Sequence, residues 1–415
     1  MIVDLRQVVA GVLTVTMFVM LGNMIKREHF DSVHEKLPGM AEEIRYADNP
    51  SEQGITSSPK SGDPWNQNSG ELKPCWEKPE LEALGDSKGS ITFSLINGPE
   101  YHVSQISAAV VVAKYLGATL VIPDIRGSNP GDERRFGDIY DVDKFIQNLD
   151  GVVNVVREQP SDISAEDVAV VRVPSKVTED YISEHVEPVF RTKSNIRLAT
   201  YFPSVNMRKK KTQKSELDAV TCLAMFGTLE LQPDVREVVD SMIERLKTLS
   251  RKSNGHFVAI DLRLDMLEKR NCQGSKKCFS IHEIKEFLQK IGFNKDSTIY
   301  LTQSRWDSSL DTLKDFFPKT YTKESIMPVD KKAKFLTSED SEFEKVIDFY
   351  ICSESHVFVP AISGLFYTNV VGKRIISGRN QILVPAIIEG TSAPAADYLS
   401  SYVVKKNHFA HSCFC

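Results

Sequence analysis

The chain has 415 residues, of which 41% are hydrophobic and 26% charged, and its formal net charge is −5. These values are ordinary for a globular protein of one large or two medium domains, and they exclude a strongly basic nucleic-acid-binding protein. The one basic run, at residues 207–214, predicts a solvated loop, with contact to an anionic ligand or a membrane surface as the alternative.

An apolar stretch without charges occupies residues 8–25, between Arg6 and the pair Lys26-Arg27. It is short for a membrane-spanning helix and long for the apolar core of a cleaved signal. We therefore expect an uncleaved membrane anchor, with a cleaved signal as the alternative, and a cytosolic tail at residues 1–7. The flanking charges do not decide the orientation of the anchor.

A polar segment follows at residues 26–78 and is rich in Ser, Pro, Gly and Glu. It has too few apolar residues to offset the entropy lost on ordering, which predicts a flexible stem. An anchor, a stem and a globular remainder are the layout of a single-pass type II protein of the Golgi membrane. We expect the globular part to lie in the lumen.

The chain has seven cysteines, and Cys272 and Cys278 bracket a short polar loop. In an oxidising lumen this pair could form a disulfide, and two free thiols are the alternative. A zinc site is not expected, because no cysteine pair has the two-to-four-residue spacing with a matching second pair that zinc sites show. The odd number of cysteines leaves at least one free thiol.

Residues 79–250 open with a strand–helix–strand pattern. We predict a strand at 89–95, a helix at 103–116 from the spacing of its apolar residues, and a strand at 118–123. Such a unit favours a parallel sheet. Further predicted elements are strands at 152–156 and 168–171 and a helix at 235–249.

A second alternation occupies residues 251–390, and residues 391–415 form a C-terminal tail. It begins with a buried strand at 257–262, followed by a helix whose start at Ser280 and Glu283 fits a capping box. The remaining predicted elements are a strand at 298–302, helices at 308–316 and 343–350, a strand at 357–359 and a helix at 364–371. The two alternations predict an α/β fold of two Rossmann-like domains that face a cleft.

Arg263 lies at the carboxyl end of the predicted strand 257–262, where sheets of this kind bind ligands. Its guanidinium can pair bidentately with a carboxylate or a phosphate. Two interpretations remain open. One is an internal ion pair with Asp261, Asp265 or Glu268, and the other is recognition of a nucleotide phosphate.

Long segments along the chain carry a family pattern, among them YLGATLVIPDIRG at 115–127, FVAIDLRLDM at 257–266, VIDFYICSESHVFVPAISGLFY at 346–367 and NHFAHSCFC at 407–415. These segments resemble the plant O-fucosyltransferase-like family of glycosyltransferases, and within it the mannan synthesis-related proteins. The resemblance implies a GT-B fold, Golgi residence, a nucleotide-sugar donor bound by the C-terminal domain, and inversion at the sugar without a metal. It implies no cofactor.

The family's donor motif usually has a histidine two residues before its arginine. Here the motif reads Ile260-Asp261-Leu262-Arg263-Leu264, so the arginine matches and Asp261 replaces the histidine. The resemblance implies that Arg263 contacts the donor diphosphate and acts in catalysis. Asp348 matches a family aspartate at the end of the penultimate helix and joins the expected donor site.

Two further family motifs place donor-binding residues near the end of the second domain. Ser355 and Phe358 match a Ser-Asp-x-Phe pattern in which His356 departs from the aspartate. Gly364 is the single match to an Asp-Gly-Asn-Met pattern, and the helix that follows it would direct free N–H groups at a diphosphate.

The loop after the first strand departs most from the family. Gly98 is kept, but the family's arginine is absent and two titratable residues, Glu100 and His102, stand in the loop. Either could act as a general base toward an acceptor hydroxyl. The alternatives are a solvated glutamate and a histidine with a local hydrogen bond at a helix start.

Asp141-Val142-Asp143 is the one near match to the Asp-x-Asp motif of metal-dependent glycosyltransferases. We interpret it as a helix start, where acidic side chains cap backbone N–H groups, and we expect no metal site.

Two function classes follow. The first is a Golgi glycosyltransferase that uses a nucleotide-sugar, with a GDP-sugar favoured, and a polysaccharide or glycoprotein acceptor. Mannan is the polysaccharide that the resemblance favours, and fucosyl transfer is a variant. The second class is a non-catalytic partner of a polysaccharide synthase.

Overall fold

The computed structural model describes residues 64–66, 72–76, 85, 87–127, 133–159, 168–202, 216–269, 279–336 and 342–415. The predicted anchor at 8–25, the basic run at 207–214 and the pair Cys272 and Cys278 lie outside these ranges. Among the helices within them, none combines the length and the hydropathy that a membrane span requires.

Seven strands of the described chain form the first sheet around β1 (Ser90–Ile96). The other six are β2 (Thr119–Val121), β3 (Asp124–Arg126), β4 (Glu133–Arg135), β5 (Val155–Val156), β6 (Ala169–Pro174) and β7 (Asn195–Tyr201). On one side β1 pairs in parallel with both β2 and β3, and β5 lies beyond β2. On the other side it pairs in parallel with β7, which is followed by β6. The predicted parallel sheet is confirmed, with an antiparallel β4 added beside β3.

The helices of this part are α1 (Pro99–Leu116), α2 (Val142–Leu149), α3 (Glu179–Tyr181), α4 (Glu187–Lys193), α5 (Glu216–Phe226) and α6 (Pro233–Leu249). Helix α1 begins four residues earlier than predicted, because proline at its first position has no N–H to leave unpaired. It ends at Gly117, whose φ of 63° suits a glycine. Asp141 caps α2 by accepting a hydrogen bond from the Lys144 N–H, which confirms the helix-start interpretation.

The second sheet has four parallel strands in the described residues, in the order β10-β9-β8-β11. They are β8 (Phe257–Asp261), β9 (Thr298–Leu301), β10 (Thr320–Tyr321) and β11 (Val357–Pro360). Strand β8 lies inside the sheet and every one of its residues is buried, as the apolar run predicts.

The helices around this sheet are α7 (Leu264–Lys269), α8 (Ile281–Lys290), α9 (Asp311–Phe316), α10 (Lys323–Ile326), α11 (Val329–Phe335), α12 (Glu342–Glu354), α13 (Leu365–Ile376), α14 (Ser401–Val404) and α15 (Phe409–Cys413). Helix α8 starts with the predicted capping box. The Ser280 side chain accepts a hydrogen bond from the Glu283 N–H, and the Glu283 carboxylate accepts one from the Ser280 N–H.

Helix α1 connects the two sheets. It packs against β1 and α5 of the first part and against α12 and α13 of the second. Most of its residues are therefore buried, including the polar Glu100, His102 and Gln105. The division at residues 250 and 251 into two Rossmann-like domains stays a prediction.

Two pieces of the predicted stem pack onto the globular part. The Trp65 ring meets the Phe293 ring edge-on at 4.9 Å between centroids, and the Pro64 carbonyl accepts a hydrogen bond from the Gln381 amide at 2.9 Å. For residues 64–66 and 72–76 the structure thus differs from the expected flexible stem, because apolar and cysteine side chains find partners on distant elements.

Two disulfides that the sequence pattern did not predict join distant parts of the chain. Cys75 pairs with Cys415 across 340 residues and Cys222 with Cys413 across 191 residues. Separations of this size cannot be deduced from cysteine spacing. Among the described cysteines, Cys352 is a buried free thiol.

Arg374 of α13 is fully buried and holds the end of α12 to the second sheet. Its guanidinium donates to the carbonyls of Cys352, Ser355 and Gln381, among others, at 2.7 to 3.0 Å. Burial lowers the pKa of Arg374 to about 9. These hydrogen bonds satisfy carbonyls that the end of a helix leaves without a partner.

Candidate functional site

The carboxyl end of β8 holds an arginine in a fixed orientation. Arg263 Nε and Nη2 donate to the two carboxylate oxygens of Asp261 at 3.0 and 3.3 Å. Asp261 is itself fully buried and accepts a further hydrogen bond from the Thr302 hydroxyl at 3.2 Å. The Arg263 side chain keeps 25% of its surface exposed, so it can still meet a ligand. The internal ion pair with Asp261 is therefore present in the structure.

The loop between β1 and α1 brings a second charged group to the same place. Gly98 has a φ of 103°, and a Cβ at this position would lie 2.7 Å from Glu100 Oε2. Only glycine combines that backbone conformation with so close an approach. The Asn369 amide of α13 donates to the Glu100 carbonyl at 2.6 Å and holds the first turn of α1.

Glu100 is buried rather than solvated. Burial raises its pKa to about 7, although the positive charges of Arg263 and Lys345 oppose the shift. Within the described residues its Oε2 has no hydrogen-bond partner. A carboxylate with a pKa near neutrality and a free oxygen can accept a proton.

Glu100 and Arg263 interact through their charges, and both lie beside α13. Burial by itself lowers the pKa of Arg263, but the carboxylates of Asp261, Glu100 and Asp348 outweigh it and raise the pKa above its usual value. Arg263 thus stays charged. Its guanidinium also lies over the Phe366 ring, 5.0 Å from the centroid, which places it beside the first turn of α13.

Gly364 is the N-cap of α13, with a φ of 152°. A helix of 12 residues leaves its first N–H groups without intrahelical partners, and these favour an anion. Because Phe366 lies against Arg263, this helix start and the guanidinium face the same region.

A buried ion pair lies next to Arg263 and the start of α13, at the carboxyl end of β9. Lys323 is ion-paired with Asp348, which also accepts a hydrogen bond from the Tyr300 hydroxyl at 2.7 Å. Burial raises the pKa of Asp348 above its usual value, although Lys323 counteracts it. Asp348 therefore belongs to the ionic network that the carboxylates and Arg263 share.

A cavity of about 250 Å³ opens beside this group. Its walls include Ser304 and the buried Glu344, which hydrogen-bond each other, and the charged residues Arg305 and Lys332. Ser304 follows Gln303, whose side chain accepts a hydrogen bond from the Leu264 N–H, so the cavity adjoins the Arg263 segment.

His102 has a different environment. It is fully buried, its Nδ1 lies 2.9 Å from the Tyr140 hydroxyl, and its Nε2 lies 3.7 Å from a Glu342 carboxylate oxygen. Burial lowers the pKa of His102 to about 3, so the ring is neutral at physiological pH. His102 is thus a buried histidine, as the alternative to a general base expects, but its hydrogen-bond partner lies 38 residues away instead of in the local turn.

Three predicted donor residues lie away from the Arg263 cluster. Ser355 is fully buried and donates to the Cys352 and Val357 carbonyls, and His356 packs on His256 with ring centroids 4.3 Å apart. Both come before β11, at the opposite end of the sheet from Arg263, because Val357 pairs with Val258. Phe358 is buried within β11.

The structure therefore brings together Arg263, Asp261, Asp348, Glu100, Gly98 and Gly364, and it does not bring Ser355, His356 or Phe358 to them. Lys323, Lys345 and Asn369 are additional members that sequence reasoning missed. Asn369 lies about one and a half turns after Gly364, so the sequence predicts that it lies on the same helix. The sequence does not predict its hydrogen bond to the Glu100 carbonyl of α1. In the described residues no cluster of metal-ligating side chains occurs.

Comparison with known proteins confirms the family resemblance. A family model described as GDP-fucose protein O-fucosyltransferase matches residues 100–377. Protein MANNAN SYNTHESIS-RELATED 2 of Arabidopsis thaliana is 61% identical, covering 100% of both chains. Protein MANNAN SYNTHESIS-RELATED of Trigonella foenum-graecum is 48% identical, covering 99% of each.

A solved structure of POFUT1 in complex with GDP matches at 14% identity with a TM-score of 0.45. The match covers 73% of this chain and 100% of that one. The likeness is too distant to support an inference about the site.

The buried state of Glu100 predicts a pH dependence of stability. Its folded pKa of about 7 lies above the ordinary value of 4.5, so the native state binds more protons than the unfolded state between these values. The free energy of unfolding should fall as pH rises through this window, by up to about 3 kcal/mol from this group.

The Glu100→Gln variant should therefore gain stability relative to the native protein as pH rises from 5 to 8, because glutamine stays neutral throughout. Urea unfolding at several pH values measures this. Glu244→Gln, an exposed control with 69% of its side-chain surface accessible, should show no such trend. A constant difference for Glu100→Gln would contradict the burial of an ionisable carboxyl.

Proposed function

Because the chain belongs to the GDP-fucose protein O-fucosyltransferase family, we propose that it is a glycosyltransferase of mannan biosynthesis that uses a GDP-sugar as its donor. The names of its relatives support the mannan role, and the description of the family supports a GDP-linked donor. The observation that carries the proposal is that Glu100 and Arg263 both adjoin helix α13, where their charges interact.

Arg263 is the proposed cation for the leaving group. When the bond between the sugar's anomeric carbon and the diphosphate oxygen breaks, negative charge develops on that oxygen and the diphosphate leaves. A fixed guanidinium and the N–H groups at the start of α13 can stabilise this charge without a metal. The bidentate contact with Asp261 holds the guanidinium in place before the donor arrives.

Glu100 is the proposed general base. Its carboxylate would take the proton of an acceptor hydroxyl while the hydroxyl oxygen bonds the anomeric carbon, and attack opposite the leaving diphosphate inverts that carbon. The free Oε2 and the pKa of about 7 suit this task. His102 suits it less, because it is buried against Tyr140 and has a pKa of about 3.

The cavity that adjoins the Arg263 segment is the proposed place for the nucleobase. Ser304 supplies a hydroxyl and Glu344 a carboxylate within its walls, and a carboxylate can accept hydrogen bonds from the N–H groups of a guanine. The acceptor is proposed to be a polysaccharide, with a glycoprotein as the variant.

One observation favours a second function. Asp261 already fills the fork of Arg263, so a diphosphate must compete with a buried carboxylate. A protein whose arginine serves only this ion pair would bind no donor, and it would act as a non-catalytic partner of a polysaccharide synthase.

The first test is GDP affinity. Arg263→Ala should weaken GDP binding by about 10- to 100-fold, because a charge-assisted hydrogen bond of roughly 1.5–3 kcal/mol is lost. Arg263→Lys should recover only part of this loss, since an ammonium lacks the planar fork. Calorimetric titration of the folded full-length protein measures both affinities.

Arg236→Ala is the matched control. Arg236 is another half-exposed arginine, paired with Asp240 and Glu354, and its loss should lower the melting temperature without changing GDP affinity. If Arg263→Ala behaves like this control, Arg263 is a structural residue. If the native protein itself binds no GDP, the non-catalytic function is favoured.

The second test separates binding from transfer. Glu100→Gln should keep GDP affinity within about threefold and lower the transfer rate by about 10²- to 10⁴-fold, the usual range for loss of a general base. The rate of the native enzyme should rise with pH through about 7, the pKa of Glu100, and should be unaffected by EDTA. Transfer by Glu100→Gln at the native rate would remove Glu100 from the mechanism.

We further propose a single-pass type II location in the Golgi membrane, with the catalytic part in the lumen. The two long-range disulfides support an oxidising compartment for that part. Protease added to sealed vesicles should spare residues 87–415 until detergent is added. Digestion of this part in intact vesicles would place it on the cytosolic side.

A further inference from the structure

The C-terminal segment, residues 408–415, is cross-linked to the rest of the chain at two places. Cys413, the last residue of α15, forms a disulfide with Cys222 of α5. Cys415 forms the other with Cys75, and backbone hydrogen bonds at 2.7 and 2.8 Å run beside it. The two disulfides therefore tie the segment to different elements, one to a helix that packs on α1 and the other to residues 72–76.

His408 connects this segment to α13. Its Nδ1 accepts a hydrogen bond from the Ala410 N–H and so caps α15. The proton of the neutral ring must then lie on Nε2, which donates to the Thr368 carbonyl of α13 at 2.8 Å. Burial lowers the pKa of His408 to about 4, which keeps the ring neutral.

The segment, α5 and α13 meet at Gly372. A Cβ on this residue would lie 2.7 Å from His408 Cε1 and 3.2 Å from Phe226 Cε1. The backbone of α13 thus touches both neighbours, and no larger residue fits without displacement. Phe226 also packs on Phe409 and Phe414, with centroids 6.0 and 5.8 Å apart.

Helix α13 carries this fastening to the candidate site. One turn before Gly372, Asn369 donates to the Glu100 carbonyl. At the start of the same helix, Gly364 and Phe366 adjoin Arg263. A shift of α13 along or about its axis would move these contacts together, because a helix transmits displacement as a rigid element.

We propose that the Cys222–Cys413 disulfide and His408 form a positioning clasp that holds α13 against α1 and α5, and so sets the distance between Glu100 and Arg263. The inference rests on the proposed function in that it assigns the clasp to the same site. The Cys75–Cys415 disulfide is outside the clasp, because its partner segment carries no site residue.

The alternative to the clasp is a general effect of disulfides on the unfolded chain. Cross-links across long loops stabilise proteins by restricting the unfolded chain, with no effect on the native geometry. In that case, removal of the disulfide lowers the melting temperature and leaves the candidate site unchanged. The contacts at His408, Gly372 and Asn369 instead link the disulfide to native positions, so they predict a local effect.

The test compares two double variants of the full-length protein, well below their melting temperatures. In Cys222→Ser/Cys413→Ser, amide hydrogen exchange in residues 364–372 and 98–103 should become at least about tenfold faster. GDP affinity should fall about tenfold, because small displacements of positioned groups are costly. In the control Cys75→Ser/Cys415→Ser, both quantities should stay at native values even if the melting temperature falls.

A third variant tests the histidine without touching a disulfide. In His408→Asn the amide oxygen can still cap α15, but the shorter side chain cannot reach the Thr368 carbonyl. It should reproduce faster exchange in residues 364–372. Lowered melting temperature with native exchange and affinity in Cys222→Ser/Cys413→Ser would overturn the clasp. If the native protein binds no GDP, the proposed function fails, and the exchange data alone decide the clasp.

Discussion

Opposite charges buried beside α13 must pair, and this requirement fixes the position of the elements around them. Asp261 is fully buried and Arg263 keeps only 25% of its side-chain surface exposed, so either charge alone would be costly and each requires the other. Lys323 and Asp348 likewise form a buried ion pair, at the neighbouring strand β9. Glu100 is the exception, since it enters this environment with one oxygen unbonded and gives up its charge near neutral pH. Because the neighbouring charged groups have their partners, the unbonded oxygen of Glu100 is the place where a substrate proton can be received.

Helix α13 positions the groups of the site relative to one another. Its first turn adjoins Arg263, its middle holds the first turn of α1 through Asn369, and Gly372 lets α5 and the C-terminal segment approach its backbone. At its far end Arg374 binds the carbonyls that α12 and the start of β11 leave unpaired. One helix therefore joins the site, the second sheet and the chain's end.

The leading end of the described chain lies away from the site. Trp65 packs near His256 and Phe293, at the amino ends of the second sheet's strands, whereas Arg263 lies at their carboxyl ends. A chain that arrives by this route leaves the site face uncovered by its own leading segment at residues 64–66. For the membrane location proposed above, this arrangement suits the proposed polysaccharide acceptor.

The elements whose signals are local follow from the amino-acid sequence alone. The apolar run of β8, the capping box at Ser280 and the periodicity of α6 each depend on neighbouring residues, and the structure confirms them. The sequence also placed Arg263 and Gly364 at element ends, where ligands bind. Three outcomes required the folded chain: the partner that Arg263 takes, the burial of Glu100 beside the pairing of His102 with Tyr140, and the disulfide between Cys222 and Cys413. These outcomes depend on contacts between residues far apart in the chain, and no local pattern records which distant surfaces pack together.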